Sequence, residues 1–242
     1  MIDLREYDCL DSTNRLLLDM ARDGAPVGTA VWAHVQTGGR GRLGRSFSSP
    51  KGGIYVSILV PLDNMSDSGI RITAMAGVAT MRTIFRVCNK KCAIKWVNDI
   101  IYNGKKVCGI LAQGYSDKAV VGIGVNYRTD LNSLPDDVRT TASVLYGQEE
   151  EAPDERSFVN ALLENVLDLC TKGDEIWLDE YKASSTILGK EVLILQAGSV
   201  VGEGVATEID DSCALHVVFP DGRETVLSTG EVSVRSRKRN GK

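Results

Sequence analysis

The chain has 242 residues, with 28 Lys+Arg against 32 Asp+Glu and a net charge of −4. That balance argues against a dedicated nucleic-acid-binding protein, because phosphate backbones are held by basic surfaces. A hydrophobic share of 43% with 25% charged residues excludes disorder and collagen-like repeats.

Taken in chain order, the N-terminal MIDLREYDCL lacks the basic–apolar–small order of a secretion signal. No apolar run approaches the roughly 20 residues of a membrane-spanning helix. The six cysteines (Cys9, Cys88, Cys92, Cys108, Cys170, Cys213) therefore read as reduced, buried thiols of a cytoplasmic protein. Ser12–Asp23 predicts a helix, with capping residues followed by Leu16, Leu17, Met20 and Ala21 at helical spacing. Thr29–Val35 and Gly53–Val60 read as strands, separated by a glycine-rich loop over Gln36–Lys51. Ser66–Lys90 predicts a long helix with Ile70, Ala74, Val78, Met81 and Phe85 on one stripe. Ala93–Val97, Val107–Gln113 and Ala119–Val125 are strand-like, with a turn at Asn103–Gly104. Asp154–Thr171 and Asp174–Ala183 return to helix, with Phe158, Leu162, Val166 and Leu169 on one face of the first. After Ser185, short β-rich pieces (Glu191–Leu195, Val201–Glu208, Ala214–Phe219, Glu224–Leu227, Glu231–Arg235) alternate with Gly and Asp turns, which suggests a small antiparallel barrel. The expected fold class is α+β: a mixed-sheet catalytic domain over residues 1–186, a small all-β barrel over 187–236 and a basic tail over 237–242.

The loop Gly38-Gly39-Arg40-Gly41-Arg42-Leu43-Gly44-Arg45 is the most informative stretch. Its glycines let the backbone approach a ligand closely, and its three arginines can converge on one anion, since the planar guanidinium binds carboxylate or phosphate in a fork. It lacks the Gly-Lys-Ser/Thr of a phosphate-binding P-loop, and a flexible connector is the plainer reading of the residues alone. Lys95-Trp96-Val97-Asn98-Asp99 closes a strand. A lysine there is costly to bury unless it meets an anion, either an acid such as Asp99 or a ligand phosphate or carboxylate. Gly122-Ile123-Gly124-Val125-Asn126 is weak as a dinucleotide signature, although Asn126 could hydrogen-bond a nucleotide. His34 and His216 lie far apart in sequence, so neither a metal site nor a Cys/His pair is expected.

Together these segments resemble the bacterial biotin protein ligases. In family order they are Ser12-Thr13-Asn14, Gln36 with Gly39–Arg45, Lys95–Asp99, Gly104-Lys105-Lys106-Val107-Cys108-Gly109-Ile110-Leu111, Gly122–Asn126, and Gly230-Glu231-Val232-Ser233 from the SH3-like barrel that ends these enzymes. The family usually has proline where this chain has Val97. Some members carry an N-terminal helix-turn-helix that represses biotin genes; only eleven residues precede Ser12, so a repressor role is not expected.

The resemblance implies ATP-dependent attachment of biotin to a lysine of a biotin carboxyl carrier domain, that of acetyl-CoA carboxylase or of another biotin-dependent carboxylase, through biotinyl-5′-AMP. It implies ATP with Mg2+, no resident metal, no nucleic-acid or membrane partner, and allows a homodimer. Lys95, Arg40 and Arg42 are its catalytic candidates. Ser12, Thr13, Asn14, Gln36, Arg40, Gly41, Arg42 and Lys95 would bind biotin; Gly39, Arg40, Arg42, Arg45, Lys95, Asn98 and Asn126 would hold the nucleotide. A lipoate or octanoate ligase or transferase of related fold, or a non-catalytic biotin-binding regulator, are the alternatives.

Overall fold

The computed structural model describes residues 1–62, 69–172, 176–196, 199–228 and 233–236. The chain opens with β1 (Asp3–Leu10), α1 (Thr13–Arg22), β2 (Thr29–Gln36) and β3 (Ile54–Pro61). The long α2 (Gly69–Cys88) follows, then β4 (Ala93–Lys95), β5 (Asp99–Tyr102), β6 (Lys105–Tyr115) and β7 (Lys118–Val125). Helices α3 (Asp136–Arg139), α4 (Glu155–Lys172) and α5 (Trp177–Ala183) lead into β8 (Glu191–Gln196), β9 (Ser199–Ile209), β10 (Leu215–Val218), β11 (Glu224–Leu227) and β12 (Ser233–Ser236). β1 to β7 form one sheet in the order β1-β2-β3-β7-β6-β5-β4, parallel only between β1 and β2. β8 to β12 form an antiparallel sheet in the order β11-β10-β9-β8-β12. The α+β class follows: a mixed sheet with helices, then a small all-β unit. The expected basic tail and Gly230-Glu231-Val232 lie outside the described residues.

Alternation along the strands sends neighbouring side chains to opposite faces, and each face has its own cover. Ala30, Trp32, Val56, Ile58 and Ile123 join the core under α2 and α4, while Val31, Leu59 and Val120 meet Leu17 and Ala21 of α1. Helix α2 is buried nearly all round because it lies between the sheet and helices α4 and α5. Its buried threonines stay satisfied by bonding back along the helix: Thr80 Oγ1 donates to the Ala76 carbonyl at 2.7 Å and Thr83 Oγ1 to that of Ala79 at 2.8 Å. The expected stripe holds through Met81 and fails at Phe85, which is 49% exposed; Ile84 and Cys88 are the buried residues there. Phe158, Leu162, Val166 and Leu169 of α4 are all buried. Asn103 and Gly104 both adopt positive φ, the geometry of a tight hairpin turn between β5 and β6.

Cys9 departs from expectation. It lies on the edge strand β1 and is exposed, whereas Cys88, Cys108 and Cys213 are buried and Cys92 and Cys170 half-buried; all six are free thiols. Burial pushes the Cys92, Cys170 and Cys213 thiols up to about 12, which keeps them protonated and unreactive at neutral pH. Among the described residues no helix is long and apolar enough to cross a membrane, and no cluster of three His, Cys, Asp or Glu could hold a metal ion.

Candidate active site

A cavity of about 170 Å³ opens on the α1 side of the large sheet. Its floor is neutral and hydrogen-bonded. Ser12 caps α1 in an extended conformation, its hydroxyl accepting from Arg15 N, and so turns the first helical residues toward the sheet. Gln36, at the end of β2, accepts the Thr13 N–H on Oε1 at 2.8 Å and donates from Nε2 to Ser49 Oγ at 2.8 Å. Ser49 in turn donates to the Phe47 carbonyl at 2.9 Å. Asn14 donates to Gln113 Oε1 at 2.9 Å and to the Leu111 carbonyl at 3.3 Å. Beneath them, Ser57 of β3 is fully buried, with its Oγ 2.8 Å from Thr13 Oγ1 and 2.6 Å from Asn14 Oδ1.

Glycines make room for this floor. A Cβ on Gly122 would overlap Asn14 Oδ1, and one on Gly124 or Gly109 would strike the Phe47 ring. Gly109 and Gly124 are opposite one another in the β6–β7 ladder, so the aromatic anchor of the loop rests on a notch two glycines wide.

The rim is cationic. The loop after β2 turns tightly at Arg42–Gly44, with Leu43 and Gly44 both at positive φ. Backbone bonds Gly41 N to the Arg45 carbonyl (2.7 Å) and Phe47 N to that of Gly39 (2.8 Å) close it. Arg40 and Arg45 are exposed, while Arg42 is half-buried and reaches Asn98 Oδ1 through Nη1 at 3.3 Å. Its Nη2 is buried and meets no acceptor. Burial pulls the Arg42 guanidinium below its ordinary pKa, and the charge of Asp99 opposes this. A desolvated cation with an unfilled donor is stabilised by an arriving anion.

Lys95 ends β4 and lines the same cavity. Asp99, its register partner on β5, forms an ion pair with Lys106 at 2.6 Å. Behind Lys95, the Trp96 indole N–H donates to the Cys213 carbonyl at 2.8 Å, and Tyr181 Oη donates to that of Val97 at 3.1 Å. The Trp96–Val97 peptide is cis. The strand end is thus held from both sides: by α5 and by the β9–β10 loop of the small sheet.

Of the residues singled out from sequence, Ser12, Thr13, Asn14 and Gln36 line the floor, and Arg40, Gly41, Arg42, Arg45, Lys95 and Asn98 line the rim. Gly39 is buried just behind them, where a Cβ would meet the Phe47 carbonyl and Ser49 Oγ. Asn126 does not reach the cavity. Its Nδ2 donates to the Ser143 carbonyl at 3.0 Å, and its backbone ties Val107 to Leu145. Sequence reasoning missed Ser57, Phe47 and Lys106. The signal for Ser57 was a lone hydroxyl inside the apolar run Ile54–Val60, where a buried polar group needs partners.

A family model described as "Biotin/lipoate A/B protein ligase family" matches residues 6–130, and one for the "Biotin protein ligase C terminal domain" matches residues 187–235. The chain belongs to the biotin/lipoate A/B protein ligase family. It is 32% identical over 163 residues to the bifunctional ligase/repressor BirA of Bacillus subtilis, covering 65% of this chain and 50% of that protein, so it spans about half the length of that relative. It is 31% identical to the biotin–[acetyl-CoA-carboxylase] ligase of Paracoccus denitrificans over 89% of this chain and 94% of the other. In structure it is similar to the biotin protein ligase of Aquifex aeolicus in complex with biotin and ATP, with a TM-score of 0.83, 26% identity, and coverage of 98% of this chain and 100% of that one.

Proposed function

We propose that this protein is a biotin protein ligase that activates biotin with ATP and passes it to a lysine of a carboxyl carrier domain, of acetyl-CoA carboxylase or another biotin-dependent carboxylase, in the cytoplasm. The observation that carries the reading is one cavity with a neutral, hydrogen-bonding floor and a cationic rim. The floor suits a buried, uncharged ring with ureido donors and acceptors. The rim suits phosphate. The boundary between residues 186 and 187 is part of the same reading, supported by the start of the second family match at residue 187.

In the first step a biotin carboxylate oxygen attacks the α-phosphorus of ATP, the α–β bridging P–O bond breaks, and pyrophosphate leaves. In the second, the acceptor amine attacks the acyl carbon, the C–O bond to phosphate breaks, AMP leaves, and the amine proton goes to solvent or a base. Negative charge gathers on phosphate oxygens in both, so the chain's main contribution is electrostatic. Lys95 stands between the acyl and phosphoryl oxygens; Arg42, with its unfilled Nη2, receives the α-phosphate region; Arg40 and Arg45 close over the outer phosphates. ATP enters as its Mg2+ complex. Among the described residues the rim's one carboxylate, Asp99, is engaged by Lys106, and Mg2+ would come with the substrate's phosphates.

A lipoate or octanoate ligase is the alternative within the family. The polar floor disfavours it, because an aliphatic tail or dithiolane offers no donor or acceptor in place of the water it displaces, at about 1–3 kcal/mol for each buried polar group left unpaired. The test is biotin-dependent ATP–pyrophosphate exchange, run beside lipoate and octanoate and repeated with Lys95→Ala. Exchange with biotin alone, lost in the variant, supports the reading; exchange with lipoate and not biotin overturns it, and tight biotin binding without exchange returns it to a non-catalytic regulator.

A further inference from the structure

The floor contains more oxygen–oxygen contacts than it has protons to fill them. Three are short: Ser57 Oγ to Asn14 Oδ1 (2.6 Å), Ser57 Oγ to Thr13 Oγ1 (2.8 Å) and Thr13 Oγ1 to Gln36 Oε1 (3.1 Å). Two hydroxyl protons serve them, because each hydroxyl carries one.

The amide orientations are pinned by backbone groups. Ser49 spends its proton on the Phe47 carbonyl, so it accepts from Gln36 Nε2, and Gln36 Oε1 therefore faces Thr13, where it already holds the backbone N–H. Asn14 Nδ2 faces the Leu111 carbonyl and Gln113 Oε1, which turns Oδ1 toward Ser57. If Thr13 gave its proton to Gln36, one of the two shortest contacts would bring lone pairs together with no hydrogen between them. If Thr13 donates to Ser57 and Ser57 to Asn14, only the longest contact goes without.

We propose that Ser57, a buried residue that does not line the cavity, holds the Thr13 proton on its inward side and so makes Thr13 an acceptor toward the ligand, selecting an acid whose ring carries an N–H. The inference rests on the biotin ligase reading and adds a positioning residue to it. Ser57 touches no substrate; it acts by fixing the polarity of a hydroxyl that does. A ureido N–H meets a ready acceptor in Thr13. A ring without such a donor leaves that oxygen buried and unpaired.

The experiment compares wild type, Ser57→Ala and Ser57→Cys in ATP–pyrophosphate exchange, with the KM for biotin and for ATP measured separately and desthiobiotin, which keeps the ureido group, as a competitor. Ser57→Ala is expected to raise the biotin KM about fivefold and to weaken desthiobiotin by the same factor, with kcat and the ATP KM within twofold of wild type. Ser57→Cys, nearly the same size and a weaker donor, is expected to fall between. Should the alanine variant fold poorly, the cysteine variant alone carries the test. An unchanged biotin KM in both variants, equal rises for biotin and ATP, or a penalty confined to biotin and absent for desthiobiotin would each overturn the proposal. Absence of biotin exchange in the wild type would instead remove the ligase reading beneath it.

Discussion

Ser12, Thr13 and Asn14 are at most 5% exposed, and the polar atoms of Thr13 and Asn14 are tied to β2, β3 and β6. Arg40 and Arg45, across the same cavity, stand in solvent on a glycine-rich loop closed by a few backbone bonds. Under the proposed function the difference follows from what each side would recognise. Hydrogen bonds to a neutral ring are short-ranged and directional, and a misplaced donor leaves a buried group unsatisfied. Charge acts over a longer range, so phosphate can be met by side chains that settle when it arrives. On that reading the rigid side would confer selectivity and the pliable side rate.

The comparison can be broken most severely at Lys95, which belongs to the rim by charge and to the framework by position. Lys95→Ala is expected to lower exchange about 10²–10³-fold, the usual cost of removing one group aimed at developing charge, with the melting temperature little changed. Next comes the floor. Gly122→Ala places a methyl group against Asn14, and overpacking of this kind costs about 1–3 kcal/mol; equilibrium binding should show a tenfold or larger loss of biotin affinity, with ATP affinity spared. Arginine removal should be graded by burial. Arg42→Gln is expected to raise the ATP KM about tenfold and Arg40→Gln only a few-fold, with the gap widening in high salt, which screens exposed charge more than buried charge; equal effects would mean the loop is not ordered as described. The smallest effect is kinetic: biotin with ATP should slow proteolytic cleavage within residues 38–48 several-fold, as expected of a lid that folds over its ligand, and identical cleavage patterns with and without ligand would count against a lid.

Much of the framework was legible because local signals agreed with tertiary demands. Ser12 is both the strongest capping residue before α1 and the residue that turns Thr13 into the cavity. The strand at Ile54–Pro61 and the turn at Asn103–Gly104 carry unambiguous β-branched and left-handed chemistry. Strand β1 was not legible: its alternation is blurred by Asp3, Arg5, Glu6 and Asp8, and it is held at the sheet edge by parallel pairing with β2. Strand β5 has four residues, too few to show a period. At the site, residue types pointed to chemistry, but partners came from three dimensions. Asp99 pairs with Lys106, seven residues further on, because the β5–β6 hairpin brings that ammonium to it. Asn126 sits beside a glycine pair that borders the cavity, but its side chain faces the segment around Ser143.

The indole N–H of Trp96 has its acceptor in the other sheet, on a loop held by Asp210, whose carboxylate takes up Ser212 N, Ser212 Oγ and Ala214 N. Severing the polypeptide between the two sheets would strip that acceptor from a tryptophan adjoining Lys95, the proposed catalytic ammonium, and wet its 5%-exposed ring. If the proposed function holds, a truncated chain ending near Thr186 should be poor at adenylation even where it folds, which makes the small C-terminal unit a buttress of the candidate active site rather than an appendage to it.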